Sequence, residues 1–428
     1  MYRALLEREQ SGEPIRVALI GAGSMGVGIA WQIGHTPGME LVSITDIDLD
    51  AARRAADAYG APWSFVEASD PSPGPGTVLV TREPFFVLER GRDLGIDVMV
   101  EATNTIGFAA RACEAAITNG QHVVLMNAEI DLVLGPWLHD LAAKNGVVIT
   151  SDAGDQHGVL MRMIDEIRLW AFDIVMAGNI KGFLNRYATA ESLLYEAEIR
   201  NLNPVQCCAY TDGTKLCVEM ALVSNATGLV PWVPGMEGPR ADSVTEVFEK
   251  FDFERYGDTG VVDYILGAKP GGGVFVVGRC DDPLQAEYLK YYKMGDGPFY
   301  LFYRPYHLCH LETTRAIGLV ALRGEPVLAP THGRVSDVYA FAKKDLQVGD
   351  SVEHGIGGDE FYGMVEACAD ADPRGHVPIT LLEGEGGERP RLKTNLAQDQ
   401  PLTYDDIELP DSHVLRLFRV QQEMLDAR

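Results

Sequence analysis

Two lysines stand where this sequence could use them as acid–base groups. Lys181 lies in the run Gly178–Gly182, read as a Gly-flanked loop, and Lys215 stands four residues before Glu219. A lysine takes or gives a hydroxyl proton when a dry pocket or a neighbouring cation lowers its pKa. On a helix Lys215 and Glu219 form an i, i+4 pair; on a strand they share a face. Either arrangement also describes a plain ion pair. Asp155 and His157, two residues apart, suit proton shuttling, and equally suit a turn carboxylate beside an exposed imidazole. Arg304 and His307 lie among Tyr300, Tyr303, Tyr306 and His310 and offer several donors to a polyhydroxylated molecule. The same stretch could form an aromatic strand with polar tips. Arg240, Asn185 and Glu219 complete the candidate substrate contacts. No His-x-x-x-His or Glu-x-x-His pattern falls in a helical context, so no metal is expected.

These residues need a frame, and the frame begins with glycines. Val17–Gly26 is an apolar strand running into Gly21, Gly23 and Gly26, with Ser24 and Met25 opening a helix. Gly21 permits the tight turn, Gly23 lets a pyrophosphate approach the backbone, and Gly26 lets helix and strand pack closely. The helix N-terminus then turns unpaired N–H groups toward the phosphates. Asp46 follows Gly26 by 20 residues, the spacing of the acidic residue that accepts from ribose hydroxyls. Its charge would repel a 2′-phosphate, and no Arg or Lys follows until Arg53 and Arg54. NAD is therefore expected over NADP; the alternative is that Asp46 only caps the next helix. Glu101, Ala102 and Thr103 after one later strand, and Asn127 and Glu129 after the next, should line the cofactor, because ligands sit at the carboxyl ends of parallel strands.

Short apolar runs alternating with helical segments fill residues 14–152 and predict an α/β unit, a Rossmann-type doubly wound parallel sheet. Helix is expected at 1–13, Ser24–Ile33, Asp48–Tyr59 and Val159–Trp170. Strand is expected at Ile15–Ile20, Leu41–Thr45, Val78–Val80, Val98–Val100, Val123–Met126 and Val147–Ile149. Asp70–Gly76 reads as a loop. Beyond 153 the pattern changes to α+β, with strand-like segments at Gln206–Thr211 and Gly273–Arg279. A third, β-rich unit follows, with a strand at Val338–Lys343 and a closing amphipathic helix at Asp411–Arg428. The expected domains are 1–152, 153–328 and 329–428.

The chain has 428 residues, is 46% apolar and carries a formal net charge of −26. Such a charge repels phosphate backbones and argues against nucleic acid as a partner. No run approaches the roughly 20 apolar residues of a membrane helix, and the first residues lack a signal-peptide core. A soluble, cytoplasmic protein is expected. The seven cysteines include no Cys-x-x-Cys pair and read as buried, reduced thiols.

Several segments together resemble a known family. They are the Gly21–Gly26 loop, Met126–Glu129, Ala153–Asp155, Asp212–Met220, Asn225–Pro231, Gly238–Arg240, Gly260–Tyr264, Gly273–Val277 and Arg304–His307. Their pattern resembles the deoxyxylulose-phosphate-reductoisomerase-like NAD(P)-dependent oxidoreductases, which are related to homoserine dehydrogenase and end in a SAF domain. Lys344–Gly349 is similar to the start of that module. The resemblance implies a nicotinamide-dependent enzyme, a central substrate domain that also dimerises, and a small C-terminal SAF-like domain. Sugar-acting members of the wider superfamily carry a lysine after the fifth strand. Here that place holds Asn127 and Glu129, so the lysine must come from elsewhere, Lys181 first and Lys215 second.

The expected function is hydride transfer at a hydroxyl of a sugar or sugar derivative, by a homodimer or higher homo-oligomer. One alternative is a redox-neutral dehydratase or epimerase that uses retained NAD for transient oxidation. Another is a non-catalytic dinucleotide sensor.

Overall fold

A computed structural model describes residues 1–67, 76–200, 202–257, 259–384 and 386–427. The expected loop Asp70–Gly76 lies outside them except for Gly76. The chain divides into two compact units: Met1–Asp155 with Leu308–Ala329 and Arg416–Arg428, and Gln156–His307 with Pro330–Leu415.

The first unit is a Rossmann-type, doubly wound sheet of seven strands. They are β1 (Ile15–Ile20), β2 (Met39–Thr45), β3 (Trp63–Phe65), β4 (Val78–Thr81), β5 (Val98–Glu101), β6 (His122–Leu125) and β7 (Ile149–Ser151). Their order is β3-β4-β2-β1-β5-β6-β7, and every pairing is parallel. Val17 to Ile20 are buried along the central strand, as a parallel sheet covered on both faces requires. The short edge strand β3 was not expected.

Helix Leu49–Tyr59 starts where Asp48 accepts from Asp50 N (2.9 Å) and stops at Gly60 in the left-handed region. The strand order reverses around β1, between β2 and β5. Gly21, Asp46, Glu101, Asn127 and Asp152 thus share the carboxyl edge of the sheet, at the place where such folds bind ligands.

Two later segments return to this unit. Helix Cys309–Arg323 brings Ala316, Ile317 and Val320 into the core that holds Val17, Leu19 and Ile29. A Cβ on Gly28 would strike the His310 ring at 2.7 Å, so that glycine lets the returning helix lie close. Gln421, in helix His413–Asp426, repairs a break. Pro136 sits inside helix Ala128–Lys144, where its ring disturbs the ladder. Gln421 Oε1 accepts from Trp137 N (3.0 Å) and Gln421 Nε2 donates to Val133 O (2.9 Å).

The second unit contains a mixed sheet of β8 (Asp173–Lys181), β9 (Val261–Leu266), β10 (Val274–Arg279) and β11 (Phe299–Arg304). The order is β11-β10-β8-β9; β8 and β9 are parallel and the other pairs antiparallel. Helices Gln156–Leu169 and Thr214–Thr227 pack on it. All fourteen residues of the second helix are buried, because it also packs on an antiparallel pair, β12 (Ser336–Ala342) and β13 (Phe361–Ala367). A two-residue pair, β14 (Arg391–Leu392) and β15 (Ile407–Glu408), completes the strands.

Two local expectations need correction. Gln206–Thr211, expected as strand, belongs to helix Pro204–Thr211. Asn203 accepts from Val205 N (2.8 Å) and Pro204 occupies the first turn, a helix start that the apolar run concealed. Lys181, expected in a loop, is the last residue of β8. The returning segments also cross the expected divisions at 152 and 328. Residues 308–329 join the first unit, and most of 329–428 joins the second. Among the described residues, no helix is long and apolar enough to cross a membrane.

Candidate functional site

The glycine loop of the first unit is shaped by three different constraints. Gly21 has φ +92°, and a Cβ there would stand 2.6 Å from the Ala102 carbonyl. A Cβ on Gly26 would collide with the Gly21 carbonyl. Those two glycines are therefore required by the fold itself. Gly23 is different: a Cβ there would meet nothing within 4 Å. The space above it is open, as an approaching pyrophosphate needs. The first intrahelical bond runs from Val27 N to Gly23 O (3.0 Å). The N–H groups of Ser24, Met25 and Gly26 thus precede the ladder, at the positive end of the helix.

Asp46 is held against this loop. Its Oδ2 accepts from Ala22 N (2.6 Å) and its Oδ1 from Asp48 N (2.8 Å). Asp48, not Asp46, caps the following helix. Each Asp46 oxygen keeps a further lone pair. Arg53 pairs with Asp50 at 3.2 Å and Arg54 lies 3.9 Å from Asp48. Arg82, which sequence reasoning did not single out, follows Thr81, whose carbonyl accepts from Asp46 N (3.3 Å).

Glu101 closes β5 and is fully buried. Burial pushes its carboxyl up to about 8, against bonds from the Thr103 hydroxyl and backbone N–H. Asn127 caps helix Ala128–Lys144 through Ile130 N (3.3 Å). Its amide stands near Glu101 but outside hydrogen-bond geometry. Glu101 Oε2 and Asn127 Nδ2 are thus buried without a partner. Two orphaned polar atoms at adjacent strand ends fit a polar ligand there. The half-buried Glu129 lies in the first turn after Asn127, and Ala102 and Thr103 follow Glu101.

Further along the same edge, Asp131 accepts from Ser151 Oγ (2.5 Å) and is raised by burial to about 6. Asp152 accepts from Gly154 N (2.7 Å) and Asp155 N (3.1 Å), and burial raises it to about 7. Asp155 is buried at the end of this unit.

A separate buried polar cluster lies in the second unit. Helix Thr214–Thr227 carries Lys215 and Glu219 one turn apart, both buried. Asn179 Nδ2 donates to Glu219 Oε2 (3.0 Å) and to Gln156 Oε1. His157 is the next residue of the Gln156 helix and is also buried. Lys181 lies two residues beyond Asn179 on β8 and so projects from the same face. Sequence reasoning named Lys215, Glu219 and His157 but missed Asn179 and Gln156. The available signal was a polar residue inside the apolar run Ile174–Ile180, which becomes informative only when that run is a strand.

The remaining candidates make contacts of their own. His307 Nδ1 bonds the Gly272 carbonyl (2.7 Å), and the Arg304 guanidinium lies over the Tyr306 ring at 4.6 Å. Asn185 is exposed and turns the chain, its Oδ1 accepting from Tyr187 N (3.2 Å). Arg240 is exposed beside β9, bridged by its backbone to Leu266. The cysteines are free; Cys309 is half-buried and the other six are buried.

Comparison with known proteins gives an oxidoreductase match. Residues 154–313 match a family model described as "Oxidoreductase DRL, catalytic domain". No curated protein matches the chain.

Solved structures resemble it at low identity. A homoserine dehydrogenase from Thiobacillus denitrificans is 16% identical over 82% of this chain and 90% of its own, with a TM-score of 0.43. A hyperthermophilic archaeal homoserine dehydrogenase in complex with NADPH is 14% identical over 72% and 98%, with a TM-score of 0.43. A scyllo-inositol dehydrogenase from Lactobacillus casei, with bound NAD(H) and scyllo-inositol, is 11% identical over 63% and 67%, with a TM-score of 0.32.

Proposed function

We propose that this chain is a nicotinamide-dinucleotide-dependent oxidoreductase that prefers NAD to NADP and acts on a hydroxyl of a polyhydroxylated small molecule. The observation that carries the reading is the bond from Ala22 N to Asp46 Oδ2, which fixes a carboxylate against the open glycine loop. In this reading Ser24, Met25 and Gly26 present N–H groups to the pyrophosphate. Asp46 accepts from the ribose hydroxyls and disfavours a 2′-phosphate. Glu101 and Asn127 hold the other half of the dinucleotide through the two orphaned atoms, with Thr103 beside them. The bound nicotinamide would supply a carbon able to take or give a hydride.

Removing a hydride from a carbinol carbon requires its hydroxyl proton to leave as well. Lys215 meets the requirement for a dry environment better than Lys181, which ends a strand at intermediate exposure. Glu219 stands one helical turn from Lys215 and accepts from Asn179. His157 and Asp155 are further proton carriers in the proposal. Residues 329–428 are proposed as a SAF-like module and the assembly as a homodimer, which light scattering of the purified chain would test.

The decisive experiment is to denature the purified protein and identify the released dinucleotide, then to follow NADH during turnover of a polyol panel. Released NAD, or NAD binding at least tenfold tighter than NADP, supports the cofactor assignment; bound NADP overturns it. NADH accumulating with product supports net oxidation. Retained NAD with product and no net NADH would instead establish the redox-neutral dehydratase or epimerase.

A further inference from the structure

Asn179 is fully buried near the end of β8, between Val274 of β10 and Tyr264 of β9 in register. Its backbone is committed to the sheet, so its side chain is the only variable element. The amide nitrogen spends both protons, one on Glu219 Oε2 and one on Gln156 Oε1. Glu219 Oε2 and Gln156 Oε1 both accept, so the nitrogen faces them and the carbonyl oxygen faces away. That oxygen, Asn179 Oδ1, is buried and accepts no bond. A buried acceptor without a donor is costly, and folded chains rarely keep one without a use. The amide is therefore anchored at one end and vacant at the other. It lies on the β8 face that also carries Lys181, and it is bonded to the helix that carries Lys215.

We infer that Asn179 is a substrate-binding residue whose Oδ1 accepts a hydrogen bond from one hydroxyl of the substrate. The inference rests on the polyol reading above and deepens it, because it says what the substrate must carry. A vacant carbonyl selects a donor, so the site takes a hydroxyl at that position and rejects a ketone, an ether or a deoxy carbon. Rejection is the stronger effect, since a substrate lacking the donor leaves the buried oxygen unpaired. Because Nδ2 bonds Glu219, the same side chain links hydroxyl recognition to the position of the group one turn from Lys215.

The test uses the NAD-loaded full chain and a panel of myo-inositol, scyllo-inositol, D-glucose and D-ribose, followed by deoxy and O-methyl analogues of whichever binds. Wild type should lose at least tenfold in affinity for one analogue of the series. Asn179→Ala should bind the parent at least tenfold more weakly and bind that analogue and the parent alike. Asn179→Ser serves the same comparison if the alanine variant fails to fold. A variant that binds the parent within twofold of wild type, or that still discriminates the analogue, overturns this inference alone. If no panel member binds the NAD-loaded wild type, the polyol reading falls and this inference falls with it. Cofactor binding, measured separately, shows which of the two has failed.

Discussion

Two of the polar clusters buried in the second unit end differently. At one, Lys343 Nζ donates to Ala188 O (2.8 Å), Gly358 O (2.7 Å) and Cys208 Sγ (3.2 Å), and pairs with Asp212 Oδ2 at 2.9 Å. Asp212 Oδ1 accepts from Thr214 N (2.8 Å). Burial pushes the Asp212 carboxyl up while Lys343 pulls it down. The ammonium has two carbonyl acceptors, one sulfur acceptor and a carboxylate counter-ion, so the cluster is complete within the chain. At the other, Asn179 uses its donors on Gln156 and Glu219 and leaves its oxygen vacant. Both clusters lie within one unit and both involve helices next to a strand. The difference between them separates polar groups that hold the fold together from polar groups kept for something outside it.

The largest effect that could break this comparison concerns stability. Asp212→Ala leaves a buried ammonium without its counter-ion and should cost about 3–5 kcal/mol in urea unfolding. Asn179→Ala removes hydrogen bonds but also an orphan, and should cost roughly 1–2 kcal/mol. Equal losses would erase the distinction. Activity per folded molecule should survive the first substitution and not the second.

The pH dependence of the first unit sharpens the comparison from another side. Glu101 has its folded pKa raised to about 8 by burial, far above an unfolded carboxyl. A proton bound more tightly in the folded state stabilises it fully below about pH 4. That stabilisation is then lost as pH rises through about 8, at up to ~1.4 kcal/mol per unit. Asp152, raised to about 7, and Asp131, raised to about 6, act in the same direction. Glu101→Gln mimics the protonated form and should be more stable than wild type at pH 9, with a flatter profile from pH 5 to 9. An unchanged slope would show that Glu101 does not titrate in this way.

The glycines repeat the contrast on a smaller scale. Gly26→Ala drives a Cβ into the Gly21 carbonyl and should lower stability by about 1–3 kcal/mol. Gly23→Ala meets open space and should change stability by less than ~1 kcal/mol. It should nevertheless weaken dinucleotide binding by about tenfold or more, read by calorimetry, because the methyl fills the space the pyrophosphate needs. Asp46→Ala should shift the NAD-to-NADP affinity ratio toward NADP by about tenfold, a change of ~1.4 kcal/mol. A ratio that does not move would refute the role of Asp46 in cofactor choice.

Much of the first unit was legible because its signals are local. The spacing of Gly21, Gly23, Gly26 and Asp46 needs only one strand, one turn and one helix. The next helix, expected over Asp48–Tyr59, was equally local, and the structure begins it at Leu49 behind Asp48. The second unit was less legible. The apolar run at Pro204–Thr211 is short and has neither a clear strand alternation nor a clear helical stripe, so it was misread. The i, i+4 spacing of Lys215 and Glu219 fitted either element until the helix was seen.

By itself the sequence determined the parallel α/β sheet, the position of the glycine loop and the carboxylate beside it. These depend on residues near one another in the chain, where period and spacing translate directly into geometry. Only the tertiary structure decided that helix Cys309–Arg323 and Gln421 return to that first unit. It alone paired Asn179 with Gln156 and Glu219, 23 and 40 residues away. Which polar atoms are left unpaired depends on every neighbour that packing brings in, and no window of sequence contains them.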